Sequence, residues 1–161
     1  MFRLWFILVL LLLPALNLKS TPLPVEVLER EIFQQVNQER AKAQRYALHW
    51  SPDLHRVAIE WADHLARLGR LEHRRNLSTL QKKHGWHYLN ENLYAFSATP
   101  TAARVVKAWM NSPGHRKNLL APQATQSAVA LRFTSQGEAR VVFHAASGSF
   151  PPPPPRPQPY P

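Results

Sequence analysis

Apolar residues in this chain recur with a helical period in the first half and a strand period near the end. Val25, Leu28, Ile32 and Val36 fall at helical spacing, with Glu26, Glu29 and Glu31 near the start, where the helix dipole favours carboxylates. This predicts a helix from about Pro24 to Ala43. Leu48-His49-Trp50 then leads into Ser51-Pro52-Asp53, a helix start with serine as cap and proline at the first position. Leu54, Val57, Ala58, Trp61, Leu65 and Leu68 follow as one buried helix face, ended by Gly69. From Arg70 to Asn90 the chain is polar, basic and poorly periodic, which reads as a loop carrying at most a short helix. Asn92 to Phe96 reads as a short strand, and Thr99 or Thr101 opens a helix through Ala102, Val105, Val106 and Trp109. Two strand-like runs, Ala128–Phe133 and Arg140–Ala145, are joined by Ser135-Gln136-Gly137-Glu138, the connection of an antiparallel hairpin. Helices followed by a small antiparallel sheet make an α+β sandwich.

The two ends stand apart from this pattern. Arg3 precedes the unbroken apolar run Leu4–Leu13, and Pro14-Ala15 follows, the order of a secretory signal over residues 1–20. That run is short of the roughly 20 apolar residues of a membrane span. Retained rather than cleaved, the segment would be an N-terminal anchor and would put the domain in contact with a membrane. On either reading the remainder is exported. From Pro151 the chain reads PPPPPRPQPYP, an extended polyproline stretch over residues 151–161 that cannot build a core. Residues 21–150 remain as one domain of ordinary size.

Charge and cysteine content narrow the chemistry. From Thr21 to Glu72 there are seven Lys/Arg against eight carboxylates, whereas from His73 to Phe150 there are ten against only Glu91 and Glu138. The second half is a cationic surface that attracts polyanions through its long-range field. For an exported protein this points to lipid headgroups or an anionic envelope polymer, and export argues against nucleic acid as the normal partner. The chain has no cysteine, which excludes a disulfide-stapled module and a thiolate nucleophile or ligand. A Gly-x-Ser-x-Gly elbow and glycine-rich phosphate loops are also absent.

Candidate chemistry lies in three segments: Leu71-Glu72-His73, Asn90-Glu91-Asn92-Leu93 and Ser112-Pro113-Gly114-His115. In the last, Pro113 biases Ser112 out of the helical region and Gly114 permits a reversal, so His115 is expected at a turn beside a helix end, facing a cleft. Asn37 and Arg40 are expected to lock the first helix to its neighbours. Trp50, Trp61 and Trp109 are expected in the core, and Trp86, beside His84, His87 and Tyr88, could form an exposed platform. His49, His55, His64 and His144 carry the ordinary reading, solvated or packed.

Val36-Asn37-Gln38-Glu39-Arg40, Leu48-x-Trp50, Leu54, Ala58, Ala62, His73, Glu91-Asn92-Leu93 and the Trp109–Leu120 run occur in an order that resembles the CAP superfamily of cysteine-rich secretory proteins, insect venom antigens and plant pathogenesis-related proteins. The chain is most similar to its cysteine-free bacterial branch of extracellular SCP-like domains. The resemblance implies a three-layer α-β-α sandwich around a cleft, with His73, Glu91, Ser112 and His115 facing it. It implies no required cofactor, while leaving room for a divalent metal such as zinc on His73 and His115. The family's second glutamate is replaced by Ser112, and the glycine before its first by Asn90, a residue that tolerates a left-handed backbone. Arg74 and Arg75, next to His73, with Lys82, Lys83 and His84 further along, would favour an anion over a cation. The expectation is therefore a non-enzymatic binding module for lipid, an anionic envelope polymer or a protein partner. The alternatives are a metal-dependent hydrolase in which Glu91 is the general base and His73 and His115 the ligands, and a secreted scaffold with a vestigial cleft.

Overall fold

Ser51 starts the helix that the apolar stripe predicts, its Oγ accepting from the Leu54 amide at 3.3 Å. The computed structural model describes residues 24–97 and 101–148. The signal segment, Thr99 and the proline-rich tail lie outside them. In chain order the elements are α1 (Val25–Lys42), β1 (His49–Trp50), α2 (Pro52–Leu68), α3 (Leu77–His84), β2 (Tyr88–Phe96), α4 (Ala102–Asn111), α5 (Pro113–Leu119), β3 (Gln126–Phe133) and β4 (Ala139–Ser147). α2 closes on Gly69 at φ 74°, a left-handed position that glycine takes without a Cβ penalty. Thr101 caps α4 by accepting from the Arg104 amide.

The four strands pair in the order β1-β3-β4-β2. β3, β4 and β2 are antiparallel, and the two-residue β1 adds a parallel edge beside β3. Alternation along β3 and β4 makes the core two-sided. Val129, Leu131, Val141, Phe143 and Ala145 pack with Ile32, Val36, Val105, Trp109 and Leu119 of α1, α4 and α5. Their neighbours Ala128, Ala130, Val142 and Ala146 pack with Leu54, Val57, Ala58, Leu65 and Leu80 of α2 and α3. A sheet apolar on both faces needs a cover on both, and the result is the three-layer α-β-α sandwich.

Polar locks hold the layers in register. Asn37 donates to the Leu48 carbonyl at 3.0 Å and accepts from the Leu48 amide at 2.8 Å. Arg40, 1% exposed, donates through Nε to the Tyr46 carbonyl and through Nη1 to the Leu119 and Ala121 carbonyls. Burial first, and then the nearby Arg45 charge, bring its pKa down to about 10 against a small opposing effect of Tyr88. A second tie joins both helical layers to β3. Buried Glu29 accepts from the Leu131 amide at 2.8 Å and lies 2.8 Å from His55 Nε2.

The structure corrects several local expectations. The strand starts at Tyr88 rather than Asn92, so Glu91 lies within a ladder and not in a loop. Asn90 is in the same ladder, and Gln44 is the one non-glycine with positive φ among the described residues, so no left-handed backbone is needed at 90. Pro113 and Gly114 do not break the chain into a turn. They form the first turn of α5, Ser112 being the single non-helical joint after α4. Trp86 is 7% exposed and stacks on His84 at 4.4 Å, a packed residue rather than an open platform. Trp109 is fully buried, while Trp50 and Trp61 are half-buried and carry Arg30 and Arg74 over their rings.

Candidate functional site

β2 is an edge strand, and alternation along it sends neighbouring side chains to opposite layers. Glu91 sits opposite His144 of β4 and shares its face with Leu89 and Leu93, on the α2 and α3 side. Asn90 and Asn92 turn the other way, toward α5. At an edge, groups from both layers can meet around the strand. The connector after α2 brings His73 from one side, and α5 brings His115 from the other. His73, Glu91, Ser112 and His115 line one open cavity of about 640 Å³, together with Tyr88, Asn90, Lys117, Asn118 and Gln123.

Glu91 is the best-held group in this cavity. Its side chain is 1% exposed. One oxygen accepts from His73 Nδ1 at 2.8 Å and from the Arg74 amide at 3.1 Å, and the other from His144 Nε2 at 3.0 Å. Burial alone would raise the Glu91 carboxyl, but the hydrogen bond and charge of His144, then the His73 and Arg74 bonds, outweigh it and hold the pKa below 4.5. His144 is 0% exposed and its Nδ1 has no hydrogen-bond partner; because an ionised carboxylate can only accept, Nε2 is the donor to Glu91. His73, by contrast, is 64% exposed at its side chain. A buried histidine behind and an exposed one in front clamp a single carboxylate.

An amide network seats α5 on β2. Asn118 donates to the Glu91 carbonyl at 3.1 Å and to Asn92 Oδ1 at 2.9 Å, and Asn92 donates to the His115 carbonyl at 2.9 Å. Asn90 donates to the Tyr88 hydroxyl and the Asn118 carbonyl. His115 is thus set by the backbone of its own helix. Burial first, and the charge of His73 second, lower its pKa from 6.5.

The cations near His73 are not the ones at the cavity. Arg74 is buried, bonds Glu60 at 2.9 Å and lies over Trp61, and Lys82 and Lys83 belong to α3. Lys117 of α5 lines the cavity instead. His144 is the residue that sequence reasoning missed. Its signal was the one polar side chain within the apolar run Val141–Ala146, which indicates a buried partner once register is known. Among the described residues, no three or more His, Asp or Glu side chains are grouped so as to hold a metal ion.

The family model for the cysteine-rich secretory protein family, CAP, matches residues 33–145. The chain belongs to the CAP family. No curated protein sequence gives a significant match. The CAP fold is shared with an outer surface protein from Borrelia burgdorferi, at 19% identity and TM-score 0.68 over 80% of this chain and 98% of that one. It is shared with an extracellular SCP-domain protein from Bacillus anthracis, at 20% identity and TM-score 0.61, covering 80% of this chain and 45% of that one. A cysteine-rich secretory protein from Staphylococcus aureus gives 18% identity and TM-score 0.58, over 75% and 40%. This CAP domain spans less than half of the Bacillus and Staphylococcus chains.

Proposed function

We propose that this CAP-domain protein is exported and works by binding, its cleft taking an anionic group of a polar envelope ligand. The observation that carries this reading is the engagement of Glu91. Both its oxygens are committed to His73, Arg74 and His144, so it serves as the brace of the cleft and holds His73 toward a ligand. Facing outward are His73, His115, Lys117 and the Ser112 hydroxyl, a set suited to an anion. Leu89 is the one aliphatic side chain in the lining, which favours a polar ligand over an acyl chain. The export signal read at residues 1–20 supports the location, as do neighbours described as an outer surface protein and an extracellular protein.

The hydrolase reading asks more of the same residues. A catalytic zinc takes three protein ligands and a water. With Glu91 committed, His73 and His115 supply two, and the Ser112 substitution removes the family's other carboxylate. As general base, Glu91 would have to release a histidine, and its lowered pKa makes it a weak one.

Titration with inorganic sulfate, followed by amide chemical shifts, tests the proposal. Shifts are expected around His73, Ser112, His115 and Lys117, with their loss in His115→Ala. Zinc-dependent turnover of an ester or phosphoester that vanishes in Glu91→Gln would sink the binding reading and establish the hydrolase.

A further inference from the structure

We propose that the outer face of α4 and α5 is a docking track for a linear polyanion, a chain carrying a carboxylate or phosphate on each repeat, which leads into the cleft. This rests on the anion-binding reading of the cleft and extends it from one group to a polymer. α4 buries Ala102, Val105, Val106 and Trp109 and leaves Arg104 and Lys107 exposed, neighbours at i, i+3. After the single joint residue Ser112, α5 exposes Arg116 and Lys117. No Asp or Glu occurs between Asn92 and Gly137. Among the described residues, none of these four cations has a side-chain hydrogen bond or an ion pair.

Apart from the exposed Arg75, the other arginines of the cationic half are compensated. Arg74 pairs with Glu60, Arg132 with Asp63 and Glu29, and Arg140 with Glu138. Lys82 and Lys83 sit in the last turn of α3, where they complement its dipole. Arg104 and Lys107 of α4 have neither arrangement; Arg116 and Lys117 lie in the last turn of α5, but they too have no carboxylate partner, so the four form an uncompensated cluster of like charge that an outside anion would relieve. Arg45 extends the row. Arg40 bonds both the Tyr46 and the Leu119 carbonyls, holding the 45–46 turn beside the end of α5. Lys117 also lines the cleft, so track and cleft are continuous.

A bilayer fits this face less well. The other exposed residues of the two helices are Ala103, Asn111, Pro113 and Gly114, and the exposed large apolar side chains, Val27, Tyr46, Leu68, Leu71 and Phe133, all lie outside them. A polymer of repeated charge matches a row of cations and gains affinity with length.

Calorimetry on the full chain with polygalacturonate, polyphosphate, neutral dextran and sulfate tests the track. Either polyanion is expected to bind at least about 10-fold tighter per chain than sulfate, the tighter one naming the anion, with dextran inert. The triple variant Arg104→Ser/Lys107→Ser/Arg116→Ser should lose about 10-fold or more for the polymer and leave sulfate unchanged. Its plot of log affinity against log salt should be shallower by about two. Arg67→Ser/Lys82→Ser/Lys83→Ser removes the same charge from the opposite layer and should retain binding. Equal loss in both triples, or tighter binding to phosphatidylglycerol vesicles than to either polymer, overturns the track. Sulfate binding with no gain for polymers overturns the track and leaves the cleft reading standing, whereas no binding of any anion overturns both.

Discussion

Replacing His144 by Phe tests whether the buried clamp holds the Glu91 carboxylate. Phe suits an apolar strand position, but it leaves one oxygen of a carboxylate 1% exposed with no donor. A hydrogen bond to a charged group is worth about 1.5–3 kcal/mol, and stranding a buried charge costs more. We therefore expect a loss of about 2–4 kcal/mol at pH 7, or roughly 6–15 °C in melting temperature for a domain of this size. The pH dependence separates this from overpacking, which is indifferent to pH. In the native protein the Glu91 pKa lies below 4.5, so its contribution is present above 4.5 and is lost as pH falls through the lowered value. In the variant the hydrogen bond and charge of His144 are gone while the burial remains, so the folded pKa rises above its wild-type value and the deficit relative to wild type must grow as pH rises from 4 to 7. Urea denaturation at both pH values, with Glu91→Gln alone and combined, gives the coupling directly. A deficit equal at pH 4 and 7, or strictly additive effects of the two substitutions, would refute the clamp.

Three further outcomes follow from the geometry. His115 has a folded pKa below 6.5, so acidification costs stability as pH drops below 6.5 while it strengthens anion binding. Sulfate affinity measured by calorimetry from pH 8 to 5 should rise toward acid, and His115→Gln should flatten that rise. Asn118→Ala removes two bonds joining α5 to β2 and should cost about 1–3 kcal/mol, with hydrogen exchange accelerated in α5 but not in α2. Gly148→Ala would place a Cβ 2.9 Å from Cδ1 of the buried Trp86 ring, a clash worth about 1–3 kcal/mol in urea denaturation.

Where periodicity was strong, the sequence could be read directly. The α2 stripe located both cap residues, Ser51 and Gly69, because burial of one face and local capping favour the same boundaries. The hairpin was legible from its turn, where Gly137 sits at φ 78° and Thr134 bonds the Glu138 carbonyl. The start of β2 was not, because Tyr88-Leu89-Asn90-Glu91 bury polar groups whose partners are far away in sequence. The α4–α5 joint was misread for a different reason. Pro113 and Gly114 are helix breakers in mid-helix, yet proline at a first helical position satisfies the same preferences. Family resemblance brought His73, Glu91, Ser112 and His115 to one cavity, but no spacing rule could pair His144 with Glu91 across 53 positions.

Because β2 delivers Glu91 to one layer and Asn90 and Asn92 to the other, the cleft and the core depend on one register. A one-residue slip of β2 against β4 would turn Leu89 and Leu93 out of the α2 layer in the same movement that pulled the carboxylate away from His144. Misaligned molecules would therefore be unstable as well as lacking the Glu91–His144 clamp, and quality control that removes poorly folded chains would remove them too. Single insertions between Tyr88 and Leu93 should accordingly be among the least tolerated lesions in this domain, while substitutions at Ser112 or His115, outside the ladder, change the lining of the cavity and leave the strand register alone.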